Sequence, residues 1–233
     1  MKLNYKLLEA EFIDRPNRFI TRIKFNSHIY LSHLPDPGRL NELLVPGAKV
    51  LIKKEDGINR KTSFSTQAVY FNNTIISLNT LLPNHLTEWL IYNKKLDFLK
   101  KWNLEKREIV YGKHRFDFKL SNSTQSLILE VKSVTLVENN IAKFPDCVTE
   151  RGKKHVIKLG EMITHGIPCM ILFIIQRPDV KSFNPAWSRD SKFCNALYDS
   201  YKKGLKIKVI KTQMNKNKIK YLGEVPFKLE RNT

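Results

Sequence analysis

Two short runs constrain this chain more than any other part of it: Arg115-Phe116-Asp117-Phe118-Lys119-Leu120 and, after six turn-forming residues, Leu127-Ile128-Leu129-Glu130-Val131-Lys132-Ser133-Val134. Both alternate with a period of two, the spacing of a strand whose successive side chains point to opposite faces. The ionisable residues fall on one face, and Phe116, Phe118, Leu129 and Val131 take the other. The pair predicts a hairpin with one charged face. If Leu120 closes it against Leu127, an antiparallel count sets Asp117 opposite Glu130, with Cβ atoms about 5 Å apart, and Lys132 one pleat further along. Like charges so placed destabilise a sheet unless a proton or a cation sits between them, and hard oxygen ligands beside a lysine suit Mg²⁺ or Mn²⁺. An exposed hairpin could instead use the same residues as surface ion pairs, each worth about 0 to 1 kcal/mol.

The 233 residues suffice for one large or two modest domains with a proper core, and 42% hydrophobic with 10% aromatic content predicts a soluble globular protein. A formal net charge of +19 favours a polyanionic partner, nucleic acid before anionic membrane. A lysine- and asparagine-rich genome would also raise that charge without any selection for binding. Cys147, Cys169 and Cys194 are widely spaced with no Cys-x-x-Cys, so neither a disulfide framework nor a zinc site is expected, and a reduced cytoplasmic setting fits. Met1 to Lys6 lack the apolar core of a secretion signal, and the longest apolar run, Cys169 to Ile175, is too short to span a bilayer. The expectation is therefore no membrane association.

Residues 1–81 read as a first domain of short strands: Phe19 to Phe25, Ile29 to His33, Lys49 to Lys53, Ser65 to Phe71 and Thr74 to Leu78, punctuated by Asn26-Ser27 and Asn72-Asn73. Five such strands suggest an OB-fold-like barrel, a scaffold that binds single strands or oligosaccharides. Between the second and third, Leu34-Pro35-Asp36-Pro37-Gly38-Arg39-Leu40 predicts a double-proline turn leading into a short helix stopped at Pro46-Gly47. Residues 82–233 read as a second domain. Asn84 is expected to cap a helix running to about Lys101; strand Arg107 to Tyr111, the charged hairpin and strand Ile141 to Phe144 follow. Thr149 then caps a helix of about fifteen residues closed by Gly166. A buried strand Met170 to Gln176, a helix from Ser191 to Lys203 and strands Leu205 to Lys211 and Ile219 to Leu222 complete a mixed sheet flanked by helices. The fold class is thus two-domain, α+β overall, with a barrel followed by an α/β domain.

Arg15, Arg18, Arg22, Lys24, Arg39, Arg60 and Lys61 could form a basic track on the first domain, with aromatics interleaved; most of those aromatics should be core, leaving one or two for bases. Arg39, held out by its turn, is the best single candidate, although an ion pair with Glu42 explains it as simply. On the second domain Arg151 and His155 are four apart on one helix face with Lys154 nearby, able to bind a phosphate or merely to be solvated. Gln176 is an odd polar end to a buried strand unless it faces a site or a water network.

An Asp, a gap of about a dozen residues and Glu-x-Lys on a paired strand resembles the metal site of PD-(D/E)xK nucleases. The resemblance implies that Asp117, Glu130 and the Val131 carbonyl hold Mg²⁺ or Mn²⁺ and that Lys132 orients the attacking water. It also implies a role for Glu88, matching the acid such nucleases contribute from their first helix, though a solvated helix residue fits there too, and for Gln176 beside the metal. Further motifs are Arg15-Pro16-Asn17-Arg18-Phe19, His33-Leu34-Pro35-Asp36-Pro37-Gly38-Arg39-Leu40, Phe144-Pro145-Asp146, Thr149-Glu150-Arg151-Gly152 and Gln176-Arg177-Pro178-Asp179. With the hairpin they resemble the sugar fermentation stimulation protein family over almost the whole chain. That resemblance implies an OB-fold joined to a PD-(D/E)xK domain, DNA binding, and regulation of sugar-utilisation genes. A metal-dependent nuclease, a non-catalytic DNA-binding regulator and an oligosaccharide-binding module all remain open at this point.

Overall fold

The computed structural model describes residues 1–56 and 60–229. The chain divides into two compact units: Met1–Leu82 with Ile175–Asp179 and Lys211–Gly223, and Pro83–Ile174 with Val180–Ile210 and Glu224–Thr233.

In the first unit β1 (Leu8–Asn17), β2 (Ile20–Phe25), β3 (His28–His33), β4 (Lys49–Lys54) and β5 (Phe64–Phe71) run in the order β3-β2-β1-β4-β5. A parallel pairing of Ser32 with Phe64 and His33 with Ser65 joins the two ends, so the five strands form a closed barrel of the OB type. The chain can turn tightly into β3 because Asn26 and Ser27 both take positive φ, the twist-matched geometry of a two-residue hairpin. Asn72 and Asn73 do the same between β5 and β6 (Thr74–Ser77). Alternation directs Ile23, Val50, Ile52, Val69 and Ile76 inward, where all are fully buried. A neutral polar knot lies among them. Thr66 Oγ1 is 2.8 Å from both Thr21 Oγ1 and Ser32 Oγ, and all three residues are fully buried.

Two expectations for this region change. The barrel's first strand is β1, and Thr74–Ser77 lies beyond the barrel path, pairing with β5 on one side. The run Leu8-Glu9-Ala10-Glu11-Phe12 does alternate, but its Leu, Ala and Glu favour helix, which blurs the signal. Residues 34–48 form turns and no helix; Leu40 takes φ +53°, and the Arg15 guanidinium holds the segment by donating to the carbonyls of Asp36, Gly38 and Arg39.

The second unit opens with α1 (Leu82–Tyr92). It ends well before the expected Lys101, because Lys94 takes positive φ and a 3₁₀ turn at Asp97–Leu99 follows. Next come β7 (Asn103–Tyr111), β8 (His114–Ser121), β9 (Ser126–Val134), β10 (Val137–Glu138), β11 (Ile141–Phe144), α2 (Glu150–Thr164), β12 (Cys169–Ile175), β13 (Ser182–Pro185), α3 (Ser191–Lys202) and β14 (Lys206–Asn215); from Lys211 the chain returns to the first unit, which takes β15 (Lys218–Glu224) as far as Gly223. The main sheet here runs β14-β12-β9-β8-β7, and β10-β11-β13 form a second, three-stranded sheet. Every residue of β12 is buried, as a strand covered on both faces requires. Thr149 caps α2 by accepting from the Gly152 N–H, and Gly166 closes it at φ +78°. The two helices touch where α2 carries Gly160: a Cβ there would lie 2.6 Å from Ser200 Oγ on α3, and that hydroxyl donates to the Val156 carbonyl at 3.0 Å. No helix among the described residues is long and apolar enough to cross a membrane.

Candidate metal-binding acid site

The hairpin register is set by its turn. Ser121 faces Ser126, Leu120 faces Leu127, and Phe118 faces Leu129; carried one pair further, the same count brings Asp117 opposite Glu130. Phe116, Phe118 and Leu120 are fully buried on one face of β8, which turns Asp117 to the other. On β9 both faces are covered, so Glu130 is 3% exposed. The charged face is therefore buried around Glu130 and opens outward toward Arg115, which is exposed.

Each carboxylate is held by neighbours of the same unit. Asp117 Oδ2 accepts from the Val131 N–H and Oδ1 accepts from Asn84 Nδ2, both at 2.7 Å. Glu130 Oε1 accepts from Lys132 Nζ at 2.5 Å and from His155 Nδ1 at 2.8 Å. Glu130 Oε2 is buried and has no hydrogen-bond partner among the described residues. Burial, then the Glu130 charge, pushes the Asp117 carboxyl up to about 6. Burial also acts to raise Glu130, but the Lys132 ammonium and the His155 hydrogen bond outweigh it and hold the acid down at about 2. One ionised carboxylate thus sits beside another whose ionisation is resisted. A buried, unpartnered carboxylate oxygen next to a second acid is the donor set a hard divalent cation takes, so the residues present fit Mg²⁺ or Mn²⁺. Among the described residues no group of three or more His, Cys, Asp and Glu surrounds a common point, so further protein ligands would be neutral oxygens such as the Val131 carbonyl.

Other expected site residues have different surroundings. His155 shares a helix with Arg151 but not an environment: His155 is 5% exposed, packed edge-on to His114 and tilted against Phe116, while Arg151 is exposed. Lys154 is exposed as well, and neither it nor Arg151 has an ion-pair partner among the described residues. Glu88 pairs with Arg107 at 2.6 Å, and Arg107 lies opposite Phe118, next to Asp117 in sequence. Asn84, one turn earlier on α1, is the residue that reaches Asp117. It was expected as a helix cap; instead it lies within the helix, and only its i,i+4 relation to Glu88 hinted that it shares that face. In the first unit Arg15 also donates to the Arg18 carbonyl, Arg18 stacks over Phe19 at 5.0 Å, and Arg39 is exposed. Gln176 is buried, with Nε2 3.4 Å from the Asn79 carbonyl.

Barrel and acid-bearing sheet together define a two-domain protein with an OB domain followed by a domain built around a buried acid hairpin. Residues 13–78 match the model of the SfsA N-terminal OB domain, and residues 81–218 match that of the sugar fermentation stimulation protein RE domain. The chain belongs to the sugar fermentation stimulation protein family. It is 40% identical over 221 residues to a sugar fermentation stimulation protein homolog of Clostridium botulinum strain Alaska E43, covering 94% of this chain and 96% of the relative. A homolog from Clostridium kluyveri is 41% identical over 198 residues, covering 84% of this chain and 86% of the relative. The solved structure of SfsA from Pyrococcus furiosus, titled as a complex with Ca²⁺, superposes with a TM-score of 0.91 at 27% identity, covering 98% of both chains.

Proposed function

We propose that this protein binds DNA and cleaves its phosphodiester bonds by hydrolysis at the Asp117–Glu130 site, using Mg²⁺ or Mn²⁺. The observation that carries the reading is the buried Oε2 of Glu130, an acceptor with no donor among the described residues, beside an acid raised to about 6. Asp117 and Glu130, with the Val131 carbonyl, would hold the ion; a bound divalent cation lowers the pKa of its water and offsets charge that builds on phosphate oxygens. His155 pins Oε1 of Glu130, which leaves Oε2 for the ion, and Asn84 fixes the Asp117 carboxyl plane. Lys132, now against Glu130, is the group to orient the attacking water. The Ca²⁺ complex of the Pyrococcus relative supports an oxygen-ligand site in the family.

DNA is the substrate the surface favours. Arg22 faces Leu31 and Lys24 faces Ile29 across β2 and β3, an outward face mixing cations with exposed apolar side chains, as strand-binding OB domains use. Arg18 on exposed Phe19, Arg39, and Arg151 with Lys154 on α2 add positive charge, in keeping with the +19 total. A link to regulating sugar-utilisation genes would follow from the family's name. The test is cleavage of single- and double-stranded DNA with Mg²⁺ or Mn²⁺: Glu130→Ala and Lys132→Ala should each lower the rate at least about a hundredfold. Wild-type rates in both variants would place any cleavage elsewhere.

One observation favours a second reading, a regulator that binds DNA without cutting it. Lys132 already sits 2.5 Å from Glu130, supplying the acid with a cation of the protein's own. That reading predicts salt-dependent DNA affinity that needs no metal and survives Asp117→Ala. A titration with maltose-type sugars checks the oligosaccharide alternative, for which no heat is expected.

A further inference from the structure

The second unit holds a cavity of about 640 Å³ at the carboxyl end of α3, lined by none of the acid-site residues Asp117, Glu130, Lys132 and His155. Four aromatic side chains, Phe98, Trp102, Tyr201 and Phe227, contribute to its wall, and Leu127, Met170 and Leu205 are apolar lining residues from the buried core. Tyr201 and Phe227 meet edge to face at 6.4 Å. The hollow opens to solvent past Tyr201, Lys202 and Lys206, and its volume is in the range of small-molecule sites.

Among the described residues the charged lining has one sign: Lys202, Lys206 and Lys208 line the cavity, and no described Asp or Glu does. Lys208 is engaged, 2.7 Å from Glu224 and 4.8 Å over the Phe98 ring. Lys206 and Lys202 are exposed and have no ion-pair partner among the described residues. Nor, among the described residues, does the lining offer an Asn, Gln, Asp or Glu side chain to read the hydrogen-bonding edge of a nucleobase. What remains is an apolar body with a negative head.

We infer that this cavity is a binding site for a small amphipathic organic anion, its hydrocarbon or aromatic part among Phe98, Trp102, Tyr201 and Phe227 and its carboxylate or sulfonate at Lys202 and Lys206. The site shares Leu127 with the hairpin but none of the acid-site residues Asp117, Glu130, Lys132 and His155, and it stands whether or not the protein cleaves DNA.

The test uses the full chain with the fluorescent aromatic sulfonate ANS, displaced in separate arms by octanoate, by an aromatic carboxylate and by a short DNA duplex. One saturable site is expected, emptied by at least one of the two organic acids and not by the duplex; which acid displaces better tells an alkyl from an aromatic body. The double variant Lys202→Glu/Lys206→Glu, confined to exposed side chains, should keep its melting temperature and weaken ANS about tenfold. Phe227→Ala should weaken it as well, through lost apolar contact. Non-saturable binding, equal affinity in the charge-reversed variant, or displacement by duplex alone would each overturn the assignment.

Discussion

Two clusters of buried polar groups in this protein are built on opposite principles. In the barrel, Thr21, Ser32 and Thr66 form a neutral knot in which each hydroxyl has a partner at 2.8 Å. In the hairpin, two carboxylates, an ammonium and an imidazole crowd together, yet Glu130 Oε2 has no donor among the described residues. A satisfied knot adds stability and little else; an unsatisfied acid pair leaves the fold with an electrostatic deficit that a ligand can make good. If the proposed function holds, the contrast separates structural burial from functional burial within one chain.

The sharpest way to break the contrast is Asp117→Ala. The acid site should lose Mn²⁺ binding by about a hundredfold or more in calorimetry, while the circular dichroism spectrum stays unchanged. Next comes pH. Because the folded Asp117 carboxyl titrates near 6, above its ordinary value, metal-free stability should fall as pH rises from about 4 to 6 and level off beyond. Glu130, held low, acts in the reverse sense but over a window that ends near its ordinary carboxylate value, so the fall above about pH 5 belongs to Asp117. Mn²⁺ affinity should accordingly rise by up to about tenfold per pH unit below 6 and flatten above it, a profile read by titration calorimetry across buffers. On the barrel side, Thr66→Val leaves the Thr21 and Ser32 hydroxyls without their shared partner and should lower unfolding stability in urea by about 2 kcal/mol, with metal affinity unchanged. Smallest is Arg151→Ala, which should weaken DNA binding a few-fold at low salt and reduce the salt slope by about one.

The parts of this molecule readable from the chain are those where one local rule acts alone. Strict alternation in Arg115–Leu120 and a turn that sets Leu120 against Leu127 were enough to place Asp117 and Glu130 on one side of the sheet. The α2 boundaries followed from Thr149 and Gly166, and the buried β12 from its unbroken apolar run. Where two rules compete, the chain was misleading. β1 mixes strand alternation with helix-favouring residues, and residues 34–48 carry proline signals for a helix start, yet Arg15, more than twenty positions earlier, gathers their carbonyls into turns. His155 looked like one more cation on a basic helix; burial against Phe116 and His114 made it a clamp on Glu130 instead. Asn84 carried no local mark of its role, because its partner lies 33 positions away. Long-range hydrogen bonds to a single atom have no periodicity to read.

The bare hydrogen of Gly160 ties these themes together. It lets the two helices of the second unit approach until Ser200 can reach the Val156 carbonyl, next to His155. A methyl group at that one position would act as a wedge, and the displacement would travel a single helical turn to the imidazole gripping Glu130. The tolerance of the acid hairpin is therefore decided partly at a glycine–serine contact between two helices, away from any of the charges it serves.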